Sequence, residues 1–447
     1  MNEKRLEQPL LTLTHRQYLA VALPFVFLNL TTPLLGAVDT AAIGQLREPA
    51  LIAAVAVATM IFNTILWLFG FLRMSTSAFV AQAVGAKKKE EEWFAVSRPL
   101  LFAWIISFLV VVLQVPIEKA ALALMNPGNE VAVYVSIYYG IRIWSIPISL
   151  TNYVLMGWLM GKGLVRKTVL LQIGLNMVNI GLNIWFVLGL NWGIQGVAWA
   201  TVVAEMFALV IGLFFVKQQV SAERLNVSWK KTFDVSALWN MLKMNRDLFI
   251  RTICLLFVFN VFTAKGADFG TDILAANAIL LQVHFLMAAV FDGFANATSM
   301  FTGRAVGAKS NTLYRDILKK AANWSWISGG IVALLFYLLQ QPLLQLFTNT
   351  DEIVMLAEKY AWWIVLFPLT AASGLIFFGI FTGATYVKPV RNSILQAAVL
   401  FFLVYILAIP PFGNHGLWCA FIIFSLSRSV FLVPVTPRNL SNEKLGY

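Results

Sequence analysis

Twelve apolar runs, each long enough to cross a bilayer, follow one another along this chain at about 18–43, 50–80, 97–124, 131–159, 168–190, 194–216, 248–266, 272–302, 320–347, 353–382, 392–411 and 414–434. A helix needs about 20 apolar residues to span the hydrocarbon layer. In lipid every backbone N–H and C=O must find its partner within the protein, which leaves helices and closed barrels, and runs of this length are helices. Charged residues make up 12% of the chain and hydrophobic ones 60%, whereas about a quarter of a soluble domain is charged. The expected fold class is therefore all-α and integral to the membrane, with twelve transmembrane helices. Met1 to Arg16 is polar and the first apolar run is too long for a cleavable leader, so the first span is expected to act as its own insertion signal. Cys254 and Cys419 both lie in apolar stretches and form neither a disulfide framework nor a metal-ligand spacing.

The net charge of +12 could suggest nucleic acid, but its distribution points elsewhere. One side of the membrane takes the N-terminus, the loops near 87–98, 162–167, 217–246, 304–320 and 388–391, and the C-terminal region; it holds 26 of the 33 Lys and Arg residues. The other side holds Arg47, Lys119, Lys265 and Lys359, while Arg73, Arg142 and Arg251 lie within or at the ends of spans. The positive-inside rule puts both termini in the cytoplasm. The basic balance is a topology signal, and no nucleic-acid partner is expected.

The chain also repeats itself. Ala83-Val-Gly-Ala-Lys87 recurs as Ala305-Val-Gly-Ala-Lys309, 222 residues later, and at the same offset Gly157 and Gly161 fall on Gly379 and Gly383. Tyr139 to Pro147 matches Tyr360 to Pro368 at an offset of 221. Six spans per copy is an even number, so the two copies enter the membrane in the same orientation, as two parallel six-helix repeats forming two lobes around a central cavity. The expected division is a cytoplasmic N-terminus (1–17), an N-lobe (18–216), a cytoplasmic linker (217–246), a C-lobe (247–434) and a cytoplasmic tail (435–447).

Several segments resemble the multidrug and toxic compound extrusion (MATE) transporters. These are Leu34 to Gly44 in the first span, Ala81-Gln-Ala-Val-Gly-Ala86 and Gly303-Arg-Ala-Val-Gly-Ala308 at the ends of the second and eighth, Ile141-Arg-Ile with Pro147 in the fourth, and Gly193 to Val202 opening the sixth. Phe71 to Thr76, Asn245-Arg-Asp247 with Arg251, and Phe291 to Ala295 resemble the DinF-like branch. The resemblance implies export of amphipathic, often cationic compounds driven by inward H⁺ or Na⁺, with no cofactor and no enzymatic step. The expected partners are small-molecule drugs or toxic organic compounds, H⁺ and membrane lipids, and the chain is expected to act as a monomer.

Charges at bilayer depth are costly unless paired or hydrated, so they mark candidate sites. They are Asp39, Arg142, Glu205, Arg251 and Asp292. Asp39 lies in the outer half of the first span, and Asn176, Asn179 and Asn183 share one face of the fifth. Burial among amides penalises a carboxylate's charged form, as H⁺ coupling requires; an acidic residue near water at a helix end is the plainer reading. The resemblance implies that Asp39 is the proton or cation site. Many relatives carry a second Asp four residues after an Asn in the fifth helix, where this chain has Asn183, so Asp39 would carry most of the coupling. Arg142 and Glu205 lie at similar depth and could pair, structurally or as part of the coupling; Arg251 and Asp292 could do likewise or line an inner vestibule. His284 reads as a hydrogen-bonded packing residue. The resemblance also implies that the first helix bends when its Asp is protonated, with Pro24 as hinge; static kinks are the plainer reading of Pro24 and Pro33.

The sodium-coupled branch uses carboxylates in the seventh and tenth helices. The segment Ala371 to Gly379 has none, and Asp247 lies only at the cytoplasmic end of the seventh, which favours H⁺ and predicts no metal site. The function expected is a proton-coupled multidrug efflux antiporter of the bacterial inner membrane. A lipid or lipid-linked oligosaccharide flippase of the same superfamily, a Na⁺-coupled drug antiporter, a membrane-embedded transferase and a passive channel are the alternatives. At the repeat offsets Asp39 falls on Val261, Arg142 on Trp363 and Glu205 on Ser425. The first half is therefore expected to hold the coupling site and the second to complete the cavity.

Overall fold

A computed structural model describes residues 12–44, 48–221, 232–348 and 350–440, the side chains of 32–44 and 220–221 excepted. Among the described residues there is no strand. Twelve long helices follow in order: α1 His15–Gly44, α2 Pro49–Gly85, α3 Lys89–Val112, α4 Asn129–Gly161, α5 Val165–Gly189, α6 Gly193–Gln219, α7 Val235–Asp268, α8 Thr271–Gly307, α9 Asn311–Gln345, α10 Asp351–Gly383, α11 Lys388–Phe412 and α12 Asn414–Val435. Each of α2–α12 is long and apolar enough to cross a membrane. The chain is a multi-pass membrane protein of all-α class.

The repeat is visible in the packing. The second part of α2, Phe71–Gly85, packs on α4 as α8 packs on α10; α3 packs on α4 as α9 does on α10; α5 packs on α6 as α11 does on α12. The paired glycines explain the first of these. A methyl group at Gly157 would overlap the Arg73 carbonyl, and one at Gly161 would stand 2.6 Å from the Ser77 carbonyl oxygen. In the second copy Gly379 and Gly383 press equally against the carbonyls of Ala295 and Ser299. Small residues let helix backbones meet this closely where lipid supplies no hydrophobic drive for association. Gly383→Val is accordingly expected to cost about 1–3 kcal/mol through overpacking, read as a lower melting temperature in detergent. Gly330→Ala, where an added Cβ meets nothing within 4 Å, is expected to leave that temperature unchanged.

The repeated Ala-Val-Gly-Ala-Lys segment is a helix stop. Lys87 and Lys309 take left-handed backbone angles, φ 56° and 51°. The following amides, Lys88 N–H and Ser310 N–H, reach back to the carbonyls of Ala83 and Ala305 at 3.1 and 2.9 Å. This Schellman closure satisfies carbonyls that the helix end leaves open.

Two compact units form, Leu30–Met241 and a second comprising the chain up to Asn29 with Leu242 onward. The division passes through α1, whereas the sequence halves put all of that helix in the first lobe. Its first half has specific contacts in the second unit. Fully buried Tyr18 shares a 2.7 Å hydrogen bond with Thr298, and Leu13 N–H donates to Asp316. Gly293 of α8 lacks the side chain that would collide with the backbone of Val26.

Candidate functional site

α1 is helical through both Pro24 and Pro33. Each proline removes one helical hydrogen bond; around Pro24 the helix is held by packing, with Tyr18, Ala22, Phe25 and Leu28 all buried. The backbone of Asp39 belongs to α1, and its side chain lies outside those described.

The amides of α5 form two short relays. Gln172 donates to Asn176 at 2.9 Å, and Asn176 donates to the Thr31 carbonyl of α1 at 3.4 Å. Asn183 donates to Asn179 at 3.0 Å, and Asn179 to the Thr201 hydroxyl of α6 at 3.2 Å. Asn179 and Asn183 are fully buried. The bond from Asn176 to Thr31 fixes the register of α1 against α5. Both helices rise from the same side of the membrane, since each is odd-numbered. Asn183 lies seven residues beyond Asn176 and Asp39 eight beyond Thr31, rises of about 10.5 and 12 Å at 1.5 Å per residue. Asp39 and Asn183 therefore sit at about one depth. Directly after Asn183, Ile184–Gly189 winds as a π-helix, a rare form that occurs often at functional sites.

Arg142 and Glu205 meet in the same unit. Their ion pair measures 2.9 Å and both are buried. Ser149 donates to the second Glu205 oxygen at 2.6 Å, and Arg142 also donates to Ser145 at 3.1 Å. Pro147 has no N–H for the Ile143 carbonyl, and α4 tightens to a 3-10 turn over Ile143–Ser145. Here Ser145 bonds the Arg142 carbonyl. The Arg142 guanidinium carbon lies 5.0 Å from the Phe62 ring centre. Ser145 and Ser149 carry no distinguishing mark in the sequence, because hydroxyls in apolar helices commonly satisfy themselves on the carbonyl one turn back.

The second unit has charges of its own. The Arg251 guanidinium carbon lies 4.2 Å from the Phe378 ring centre, and that of Arg428 lies 5.6 Å from the Phe424 ring centre. Arg428 lies within α12 and not in the basic region that follows it. His284 is a buried packing residue, set against Phe367 at 4.1 Å between ring centres. The Nδ1 nitrogen has no hydrogen-bond partner among the described residues, so the expected hydrogen bond is not made there. The charges of the second half sit at positions unrelated to those of the first by the repeat.

A protein-family model described as MatE matches the chain twice, over residues 24–185 and 248–410. Over 431 residues the chain is 37% identical to DNA damage-inducible protein F of Escherichia coli (strain K12), covering 94% of this chain and 92% of that one. It is 22% identical to the probable multidrug resistance protein NorM of Halalkalibacterium halodurans over 93% of this chain and 92% of that protein. A eukaryotic MATE transporter, AtDTX14, superposes with a TM-score of 0.86 at 15% identity, over 96% of this chain and 97% of that one, a likeness of fold.

Proposed function

Because the chain belongs to the MatE family of membrane transporters, we propose that it is a proton-coupled antiporter exporting amphipathic, often cationic organic compounds across the bacterial inner membrane, with both termini cytoplasmic. The name of the NorM relative, a probable multidrug resistance protein, supports the substrate class. The observation that carries the coupling is the register of α1 on α5. It supports a depth for the one acidic residue of α1, Asp39, similar to that of Asn183, which belongs to a buried amide relay. Asn does not titrate, so the proton is carried by Asp39.

Facing outward, Asp39 takes a proton and loses its charge, which removes the attraction for a cationic substrate. The part of α1 beyond Pro24 then shifts against the part before it, which Tyr18 ties to Thr298. The bend is assigned to Pro24, where one backbone bond is already missing. Substrate leaves outward; after the transporter turns inward the proton departs and a new substrate binds. The test is efflux of ethidium from cells expressing Asp39→Asn at wild-type level. Efflux is expected to fall to that of cells without the transporter, and undiminished efflux would remove Asp39 from the mechanism.

A further inference from the structure

One carboxylate of the second unit, outside the transport cycle, is shared by two arginines. Asp247 of α7 is buried, and its Oδ1 accepts from Arg246 Nε and Nη2 at 3.2 and 2.9 Å. The same oxygen accepts from Arg391 Nη1, on the first turn of α11, at 3.0 Å. The Arg246 side chain is 56% exposed and that of Arg391 20%. Asp268, at the far end of α7, is that helix's only other acid, and α11 has none. Two guanidiniums on one carboxylate leave one positive charge at this spot. Lys388 stands exposed three residues before Arg391, and the N-terminal turn of α11 adds the positive end of its dipole.

Both arginines lie where an apolar run begins, just before residue 248 on α7 and residue 392 on α11, which is the level of lipid headgroups. From there an apolar strip runs into the membrane. Ile253 and Phe257 are exposed on the face of α7 that carries Arg246, and Leu395 and Val399 on the face of α11 that carries Arg391. The two helices touch again where the Phe257 and Phe402 rings lie 5.6 Å apart, eleven residues beyond each arginine. At 1.5 Å per residue the strip is about 16 Å long, close to half of the hydrocarbon core of about 30 Å. It is one leaflet deep.

A structural ion pair accounts for one arginine, not for both. The fork of a guanidinium matches a phosphate, and basic pockets between helix ends at the membrane face hold anionic headgroups. We propose that the ends of α7 and α11 hold one anionic phospholipid, its phosphodiester against Arg246 and Arg391 and an acyl chain along Ile253, Leu395 and Val399 toward Phe257. The headgroup neutralises the charge that Asp247 leaves over. A soluble phosphate matches the arginines but has nothing to lay on the strip, and a zwitterionic lipid brings an ammonium that offsets the gain.

The test counts lipids bound to the intact, delipidated chain as it is released from detergent micelles in a native mass spectrometer. Dioleoyl phosphatidylglycerol is compared with dioleoyl phosphatidylcholine. For one net charge at the membrane surface the wild type is expected to take its first phosphatidylglycerol about fivefold more tightly. Arg246→Gln leaves Arg391 on Asp247 and is expected to bring the two lipids level. Lys319→Gln removes an exposed charge from α9 and is expected to keep the preference. Inorganic phosphate is expected to bind the wild type, by equilibrium dialysis, about tenfold or more weakly than phosphatidylglycerol does. Equal binding of the two lipids by the wild type overturns the proposal, as does a preference that survives Arg246→Gln. A preference lost equally in Lys319→Gln reduces the attraction to net charge and overturns it too, and phosphate bound as tightly as the lipid replaces it with a free-anion site. Should Arg246→Gln not be monodisperse, Ile253→Trp, which fills the strip, decides: it is expected to weaken phosphatidylglycerol, and unchanged binding counts against the site. Only the choice of the cytoplasmic leaflet rests on the orientation proposed above; neither a gradient nor a drug is present, so the result stands apart from the coupling role of Asp39.

Discussion

Glu205→Ala is expected to destabilise the protein by about 3–5 kcal/mol, the loss that follows when one partner of a buried ion pair is removed. Arg142 would keep its charge at 5% exposure without that carboxylate, beside Ser145 and the Phe62 ring. Ser149 would lose the acceptor it holds at 2.6 Å. Much of the cost is the stranded guanidinium, not the attraction that has gone. Glu205→Gln, which keeps an acceptor for Ser149 but not the charge, is expected to fall between wild type and Glu205→Ala. Removing both charges, as in Arg142→Met with Glu205→Met, is expected to recover most of the stability, because the desolvation of two ions goes with them. Thermal unfolding in detergent orders the four proteins. If the double variant is as unstable as Glu205→Ala, the pair is not what holds this part of the unit together.

The second large effect concerns transport. In proteoliposomes with an imposed pH gradient, Asp39→Asn is expected to lose gradient-driven ethidium movement by about tenfold or more, since its neutral amide cannot exchange a proton. Ethidium binding at equilibrium is expected to weaken less, because the buried amides of Asn179 and Asn183 and the helices carrying them remain. This split separates coupling from folding: a misfolded protein loses binding as well. Wild-type transport that responds to a Na⁺ gradient and ignores the pH gradient would assign the coupling to Na⁺ instead.

Much of the fold is legible in the sequence, for a physical reason. The bilayer allows few secondary structures, so the apolar runs alone mark the spans. The glycines at 157, 161, 379 and 383 recur at one offset because both copies need the same close crossing of helices, against the carbonyls of Arg73, Ser77, Ala295 and Ser299. The meeting of Arg142 with Glu205 follows from depth, since charges at one level in a membrane seek each other. The rest depends on contacts remote in sequence. Tyr18 and Thr298 are 280 residues apart, and no local pattern says that the first half of α1 belongs with the second unit. The register of α1 against α5 rests on one side-chain bond to a backbone carbonyl, which composition cannot reveal. Arg428 escaped because it stands only ten residues before Arg438, in a region whose charge reads as a cytoplasmic anchor.

The central claim is that one carboxylate on α1 exchanges a proton for substrate. The most direct measurement is the proton released when ethidium is added to the purified protein in weakly buffered solution. Linkage requires that a substrate favouring the deprotonated form expel the proton it displaces. The wild type is predicted to release protons in proportion to ethidium bound, and Asp39→Asn to bind ethidium with none released. Equal release from both proteins would contradict the account.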